Sequence, residues 1–370
     1  VYVWFEAVQG YYSCAKIWAL RHAQEAGHPL GHDAWKEWWC VSEDGTSPRH
    51  LYFLGKDNIP FHTVIWPALI LGLNHASKGK TIADSIEMPS SGELALEANV
   101  PAMEYLMLSG GQFSKSRKHA VWLPSFLERY NADYLRYYLS INMPENHDTD
   151  FNWPDFVEKI NSELIAAYGN FVHRVLTLGA RLPSGENGPL SKIEVAQLTM
   201  SHRIKLEEIH ASITDSLTRH RYKEALRHVM SAAQYGNQIL QAATPWKYLK
   251  SDEDSEQKKQ SLSTLAFGWR LCRFLAITSQ PFLPFSSAKL WKALGQTGDV
   301  SLVSWDDAIN WDSAMTWNEE PPTPLFERLD LDAILESENS LADADRKKSD
   351  GNPVHVVKGS KKNKKETKEM

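Results

Sequence analysis

Leu51-Tyr52-Phe53-Leu54-Gly55-Lys56-Asp57 is an unbroken apolar run brought to a stop by a glycine and two charges. Such a run, with no polar alternation, reads as a strand buried on both faces, as in a parallel sheet. Behind it Phe61, Ile65, Leu69 and Leu73 recur every four residues, the spacing of a helix with one apolar face. Pro67 falls inside that stretch and predicts a kink, because proline has no N–H to offer the preceding turn. Working outward, Val1-Tyr2-Val3-Trp4-Phe5 is β-branched and aromatic and reads as another strand, and Gly10 to Ala26 reads as helix. Ala102 to Leu108 reads as a third strand, closed by Gly110-Gly111. Strands alternating with helices imply an α/β unit: a parallel sheet covered by helices.

The pattern changes near Asp155. Phe156, Ile160, Leu164, Tyr168, Phe171 and Val175 form one apolar stripe at helical period. Tyr222, Leu226, Val229, Ala233 and Leu240 form a second; Leu262, Leu265, Trp269, Cys272 and Ala276 form a third, stopped by Pro281 and Pro284. With no strand signal between them, this part is a helical bundle. The end splits by charge. Glu319 to Asp345 holds nine acidic residues and one arginine, and Lys358 to Lys368 holds six lysines and one glutamate. Both are expected to be solvated tail or linker; for the basic run, contact with nucleic acid stays open beside plain solvation.

Of 370 residues, 42% are apolar and 23% charged, which fits two or three cored domains. Forty Lys and Arg against 46 Asp and Glu leave a net charge of −6, so a generally basic nucleic-acid coat is excluded. Cys14, Cys40 and Cys272 are too scattered for a zinc knuckle, and zinc is not expected in this chain. Three sparse cysteines suit a reducing cytoplasm. No apolar run reaches the roughly 18–20 residues of a membrane span.

Most short motifs fail. Asn74-His-Ala-Ser-Lys-Gly79-Lys80-Thr81 approximates a phosphate loop, but Asn74 stands where glycine is needed, and a helix precedes it; it reads as a surface turn. There is no H-E-x-x-H, G-x-S-x-G or G-x-G-x-x-G. The informative stretch is Gly110-Gly111-Gln112-Phe113-Ser114-Lys115-Ser116-Arg117. Two glycines leave a strand end, then two hydroxyls flank a lysine. Backbone N–H groups and hydroxyls of such a loop donate to a polyphosphate, and Lys115 meets the charge that builds on departing pyrophosphate. By itself the stretch reads more readily as a basic turn.

That segment resembles the KMSKS loop of class I aminoacyl-tRNA synthetases, and the chain is similar to the methionyl-tRNA synthetases in their archaeal-like form. Five stretches, in the family's order, carry the resemblance: Tyr2 to Ala7 with Gly10-Tyr11; Gly55 to His62 with Trp66-Pro67-Ala68; Phe113 to Arg117; Ala132 to Tyr138; and Ala243-Thr-Pro-Trp246. It implies a partial Rossmann-like sheet over residues 1–108, a KMSKS-loop and stem-contact region over 109–154, a helical anticodon-binding domain over 155–330, and a charged tail or linker over 331–370. It further implies activation of methionine with ATP, accompanied by Mg²⁺, and transfer to tRNA(Met). Trp4, Ala7, Tyr11 and His62 would line the methionine pocket, where aromatic walls suit a thioether. Gly55, Asp57 and Lys115 would contact ATP or the adenylate, and Ser114, Lys115 and Ser116 would be the catalytic loop. Asp57 has a second possible role, as N-cap of the helix that follows. Asn170 and Arg174, one helical turn apart, and Trp246 would read the anticodon, donating to base edges and stacking on them. Arg203, Arg219, Arg221 and Arg227 would position the RNA by its phosphates.

Two departures stand out. Gln112 replaces the first lysine of the loop motif, and Val8-Gln9 follows Ala7 where relatives carry other residues. The family's HIGH motif belongs upstream of Val1, so the resemblance casts the chain as a C-terminal portion, with a separate or fused N-terminal half as partner and an open sheet edge. Rival readings are a class I synthetase for another apolar amino acid, and a non-catalytic tRNA-binding module.

Overall fold

The computed structural model describes residues 3–23, 25–81, 83–114, 119–182, 200–249, 255–312 and 322–350, without the side chains of Trp4, Phe5 and residues 341–350. The first segment departs from expectation. Val3–Ala7 is a helical turn, α1, rather than a strand. β-Branched and aromatic residues favour a strand only where a neighbour supplies the ladder, and among the described residues none pairs with this segment. Helix α2 (Gly10–Trp18) follows and runs into a π-helical turn, Ala19–Ala23, so the helix read over 10–26 is present over most of its length. A short α3 (Lys36–Trp39) leads to the sheet.

The decisive apolar run does form parallel pairs, in two pieces. β1 (His50–Leu51) pairs with β3 (Glu97–Asn99), and β2 (Leu54–Gly55) pairs with β4 (Ala102–Met103). Between them Tyr52 N–H donates to the Asn99 carbonyl at 3.1 Å and Leu54 N–H to that of Pro101 at 3.2 Å. Pro101 has no N–H of its own to return, which accounts for the break in the ladder. After β2 comes a π-helical turn, Phe61–Ile65, and then α4 (Trp66–Ser77) with Pro67 in its first turn. The wider turn lies where Pro67 lacks a donor, so the expected irregularity is real. Asn74 proves to be buried within α4, exchanging two hydrogen bonds with the backbone of Leu94 at 2.9 and 3.0 Å. The turn itself comes only at Gly79, with φ of 71°.

The third expected strand is likewise divided. β5 (Leu106–Leu108) pairs in parallel with β7 (Thr149–Phe151) and antiparallel with β6 (Gly111–Gln112). Ser109 and Gly110 make the hairpin turn with φ of 48° and 77°, the left-handed pair that matches strand twist. Helices α5 (Leu123–Arg129) and α6 (Ala132–Ile141) intervene before β7.

The bundle comprises α7 (Trp153–Lys159), a π-helical run Ile160–Gly169, α8 (Asn170–Gly179), α9 (Met200–Thr218), α10 (Tyr222–Ala243), α11 (Glu256–Thr278) and α12 (Pro284–Ala293). Nearly every residue of the three expected stripes is buried; Tyr222 and Leu262 pack at the margin. Phe126, Tyr137, Tyr138 and Phe151 belong to the same core, so α5 and α6 are continuous with the bundle. The α/β part has a smaller core of its own around Val8, Trp39, Tyr52, Trp66, Ile70 and Leu94.

The acidic tail also departs from expectation. Leu325, Phe326 and Ile334 are buried, and Leu331–Asp350 is a helix, α13. Arg129 reaches Glu338 at 2.5 Å and Ser337 at 2.9 Å. Counting charges obscured an apolar series, Leu325, Phe326, Leu329, Leu331 and Ile334, dense enough to dock. The lysine-rich run lies outside the described residues. No described helix is long and apolar enough to cross a membrane.

Candidate active site and nucleic-acid interface

The α/β part gathers aromatics around one buried histidine. His62 sits in the π-helical turn behind β2 and is 3% exposed. Its Nδ1 lies 2.9 Å from the Asn58 carbonyl and its Nε2 3.1 Å from the Tyr11 hydroxyl. A carbonyl only accepts, so Nδ1 carries the proton and Nε2 accepts from Tyr11. Among the described residues no group donates to the Tyr11 oxygen. Tyr52 completes the cluster, its ring centroid 5.4 Å from His62 and 5.3 Å from Tyr11. Trp66 Nε1 donates to the Tyr52 hydroxyl at 2.9 Å, and burial pushes that phenol up to about 12. Tyr11 is half exposed, so one side of the cluster faces solvent. Tyr11 and His62, 51 positions apart in the chain, thus come together as expected. Trp4 and Ala7 lie on α1; Ala7 is exposed, and the Trp4 side chain is outside the described residues.

Sequence reasoning passed over Tyr52 and Glu97 here. One Glu97 oxygen is buried with no hydrogen-bond partner. Burial raises its carboxyl above the usual range, against the opposing pull of His50 and His62. Tyr52 stood in the quoted strand, and its neighbours gave it no distinguishing mark. Only the β1–β3 register, with His50 opposite Glu97, brings that carboxylate to the cluster.

At the carboxyl end of β2 the chain turns through Gly55-Lys56-Asp57. Gly55 is the extended residue that opens a helical turn, Lys56–Asn58, and no side chain caps it. Asp57 therefore does not act as the N-cap that its position suggested. Its carboxylate instead accepts a hydrogen bond from the Tyr105 hydroxyl. Lys56 pairs with Glu104, lies 3.1 Å from Asp148, and stands 4.5 Å from the centre of the Tyr105 ring. Glu104 and Asp148 together raise the lysine above its ordinary range. The Tyr105 N–H and Lys56 hold the Asp148 carboxyl below its own. Glu104, Tyr105 and Asp148 were invisible as site residues, because the sheet alone makes them neighbours of Lys56.

The glycine-rich loop leaves this sheet by the β5–β6 hairpin. Gly110 N–H donates to Asp150 at 2.8 Å, fixing the turn. Ser114 and His119 then exchange two backbone hydrogen bonds at 2.9 Å, closing the neck of the loop. His119 Nε2 reaches the Leu108 carbonyl at 2.8 Å, and a Cβ on Gly111 would come within 3.1 Å of that same nitrogen. Side-chain bulk at 111 would therefore push against the neck. Lys115 and Ser116 lie outside the described residues; Ser114 is at the neck.

In the bundle, the Arg174 guanidinium lies 4.8 Å from the centre of the Trp246 ring. Trp246 sits in the turn Pro245–Lys247, after α10 ends at Thr244 in left-handed geometry with φ of 43°. Asn170 is exposed one turn before Arg174 on α8. Arg219, Arg221 and Arg227 are at the other end of α10. With Lys223, His147 and His220 they line a groove of about 660 Å³ against Pro101 to Met103. The 22 residues of α10 span about 33 Å, with Arg221 and Trp246 beyond its opposite ends. Among the described residues Arg219 and Arg221 make exposed ion pairs to Asp215 and Glu224, which cost little to break. Arg203 does not join them. It packs over Trp311 at 5.4 Å with Nε buried, so it braces the bundle rather than facing a ligand.

Comparison with known proteins places the chain in a family. Residues 1–176 match the family described as tRNA synthetases class I (M), and residues 184–333 match the anticodon binding domain of methionyl tRNA ligase. The methionine–tRNA ligase of Roseiflexus sp. strain RS-1 is 39% identical over 302 residues, covering 81% of this chain and 45% of the relative. That of Pyrococcus abyssi is 38% identical, covering 80% of this chain and 37% of the relative. The chain spans about half the length of the curated relatives it matches. Free Mycobacterium tuberculosis methionyl-tRNA synthetase superposes with a TM-score of 0.61 at 22% identity, over 89% of this chain and 56% of that one. The same enzyme bound by methionyl-adenylate gives 0.56 at 22% identity, over 77% and 51%. At that identity the likeness speaks to the fold.

Proposed function

We propose, since the chain belongs to the class I methionyl-tRNA synthetases, that it serves in ATP-dependent activation of methionine and its transfer to tRNA(Met). The observation that carries this reading is the Tyr11–His62–Tyr52 cluster at the start of the helix that follows β2, with Asp57 at the end of the same strand. The thioether of methionine meets aromatic faces worth ~0.3–1.5 kcal/mol per contact, with the rings of Tyr11 and Tyr52 supplying those faces beside His62. The methionine carboxylate attacks the α-phosphorus of ATP. The bond to pyrophosphate breaks, leaving methionyl-adenylate. Lys115, with the hydroxyls of Ser114 and Ser116, neutralises the charge that collects on pyrophosphate, and Mg²⁺ enters with ATP as part of the substrate complex. A terminal ribose hydroxyl of the tRNA then attacks the acyl carbon and releases AMP. Holding the reactants in line does much of the work.

The bundle selects the RNA. Arg174, Asn170 and Trp246 receive unpaired anticodon bases, with stacking worth ~1–3 kcal/mol per base. Arg219, Arg221 and Arg227 take phosphates toward the other end of α10. The test is charging of tRNA(Met) with labelled methionine, valine, isoleucine, leucine and cysteine in parallel. Methionine alone should be transferred. Transfer of another amino acid would reassign the substrate. Firm RNA binding with no adenylate from any amino acid would leave a tRNA-binding module.

A further inference from the structure

Lys56 directly follows the strand end that the adenylate would approach, and its obvious role is phosphate binding. Its surroundings argue otherwise. Glu104 and Asp148 both engage its ammonium, and the Tyr105 ring lies beneath it at 4.5 Å. The backbone of Tyr105 is fixed as well. Its N–H donates to Asp148 at 2.9 Å, and its carbonyl accepts from Thr149 at 2.9 Å. The one free end of this assembly is the phenol, which donates to Oδ2 of Asp57. Among the described residues Oδ1 of Asp57 has no hydrogen-bond or ionic partner.

We propose that Tyr105 is a positioning residue for Asp57: its hydroxyl fixes one carboxylate oxygen, and Lys56, clamped by Glu104 and Asp148, holds the tyrosine ring, so that the second oxygen meets the ligand in a single orientation. The assignment rests on the reading of Asp57 as an adenylate contact and names what makes that contact productive. The chemistry follows from rotamer freedom. An exposed aspartate swings among rotamers, and a ribose diol or an ammonium pays for that freedom on binding unless something has already removed it. A phenol held at both its ring and its backbone removes it.

A double-mutant cycle tests this. The chain and its Tyr105→Phe, Asp57→Asn and doubly substituted forms are titrated by calorimetry with a non-hydrolysable sulfamoyl analogue of methionyl-adenylate. Phenylalanine keeps the ring over which Lys56 lies, so the fold is retained. Asp57→Asn should weaken binding by about tenfold or more, as for loss of a hydrogen bond to a charged group, and Tyr105→Phe by about five- to tenfold, less than loss of the carboxylate it positions. In the Asp57→Asn background the tyrosine change should cost nothing further, because the group it positions is gone. An equal loss in both backgrounds would make Tyr105 merely structural and overturn the inference. So would full affinity in Tyr105→Phe beside weakened Asp57→Asn, and in that case the adenylate reading survives. Full affinity in Asp57→Asn, or no binding by the unaltered chain, overturns that reading and this inference with it.

Discussion

The α/β part and the bundle are held together by different means. In the bundle the apolar stripes interlock until Phe156, Ile160, Leu164, Phe171, Leu265 and Trp269 are wholly excluded from water. In the α/β part the paired strands are only two or three residues long. There Val3, Tyr11, Ile17, Leu20, Phe53 and Val64 stay exposed, and polar tethers do much of the positioning. Dense packing and the candidate site therefore lie in different regions. Dense packing forgives little change in volume, whereas a tethered site tolerates loss of volume but not of a single hydrogen bond.

Four substitutions sharpen that contrast. Phe171→Ala should cost about 3–5 kcal/mol of stability in urea or thermal unfolding. The ring is fully buried and packs onto Gly236, where an added Cβ would sit 2.4 Å from it. A loss below 1 kcal/mol would mean the bundle core is looser than its burial implies. Lys115→Ala should leave unfolding unchanged and slow adenylate formation by about 10²–10³-fold, the usual price of removing one group that stabilises developing charge. Trp246→Ala should weaken charging of tRNA(Met) by about 1–3 kcal/mol and spare adenylate formation, measured as pyrophosphate exchange. Normal charging by that variant would break the anticodon assignment.

The smallest effect concerns pH. Burial raises the Glu97 carboxyl above its ordinary value in the folded chain. A carboxyl raised on folding binds its proton more tightly in the native state. Its contribution is therefore fully present below the unfolded value and declines as pH rises through the folded one. Glu97→Gln removes that dependence. Unfolding followed from pH 4 to 8 should give a flatter profile, with the variant at least as stable as the parent at neutrality. A steeper profile would mean that Glu97 is paired when ionised.

The bundle was legible because helical period is local. Phe156 to Val175 announces a buried face whatever surrounds it, and Pro281 and Pro284 mark the end of α11 and the start of α12. The strand segment Val1 to Phe5 misled because β-propensity needs a partner, and α1 is what forms without one. The tail misled because a charge count ignored Leu325, Phe326 and Ile334. At the site, Tyr11, Gly55, Asp57, His62, Arg174 and Trp246 were named from short motifs, and the fold brings Tyr11 to His62 and Arg174 to Trp246. Arg203 was grouped with Arg219, Arg221 and Arg227 by residue type alone, and packing sets it over Trp311.

By itself the sequence determined what neighbours along the chain can decide: an α/β unit ahead of a helical bundle, a glycine-rich basic stretch, and the aromatic and cationic residue types available to a site. The tertiary structure alone decided which oxygens and nitrogens face each other. Tyr105 reaches Asp57, Glu104 and Asp148 clamp Lys56, and Glu97 lies beside His50 because strands far apart in sequence fall into register. Register is set by the sum of many weak backbone and packing terms over the whole sheet, and no short stretch of residues contains that sum.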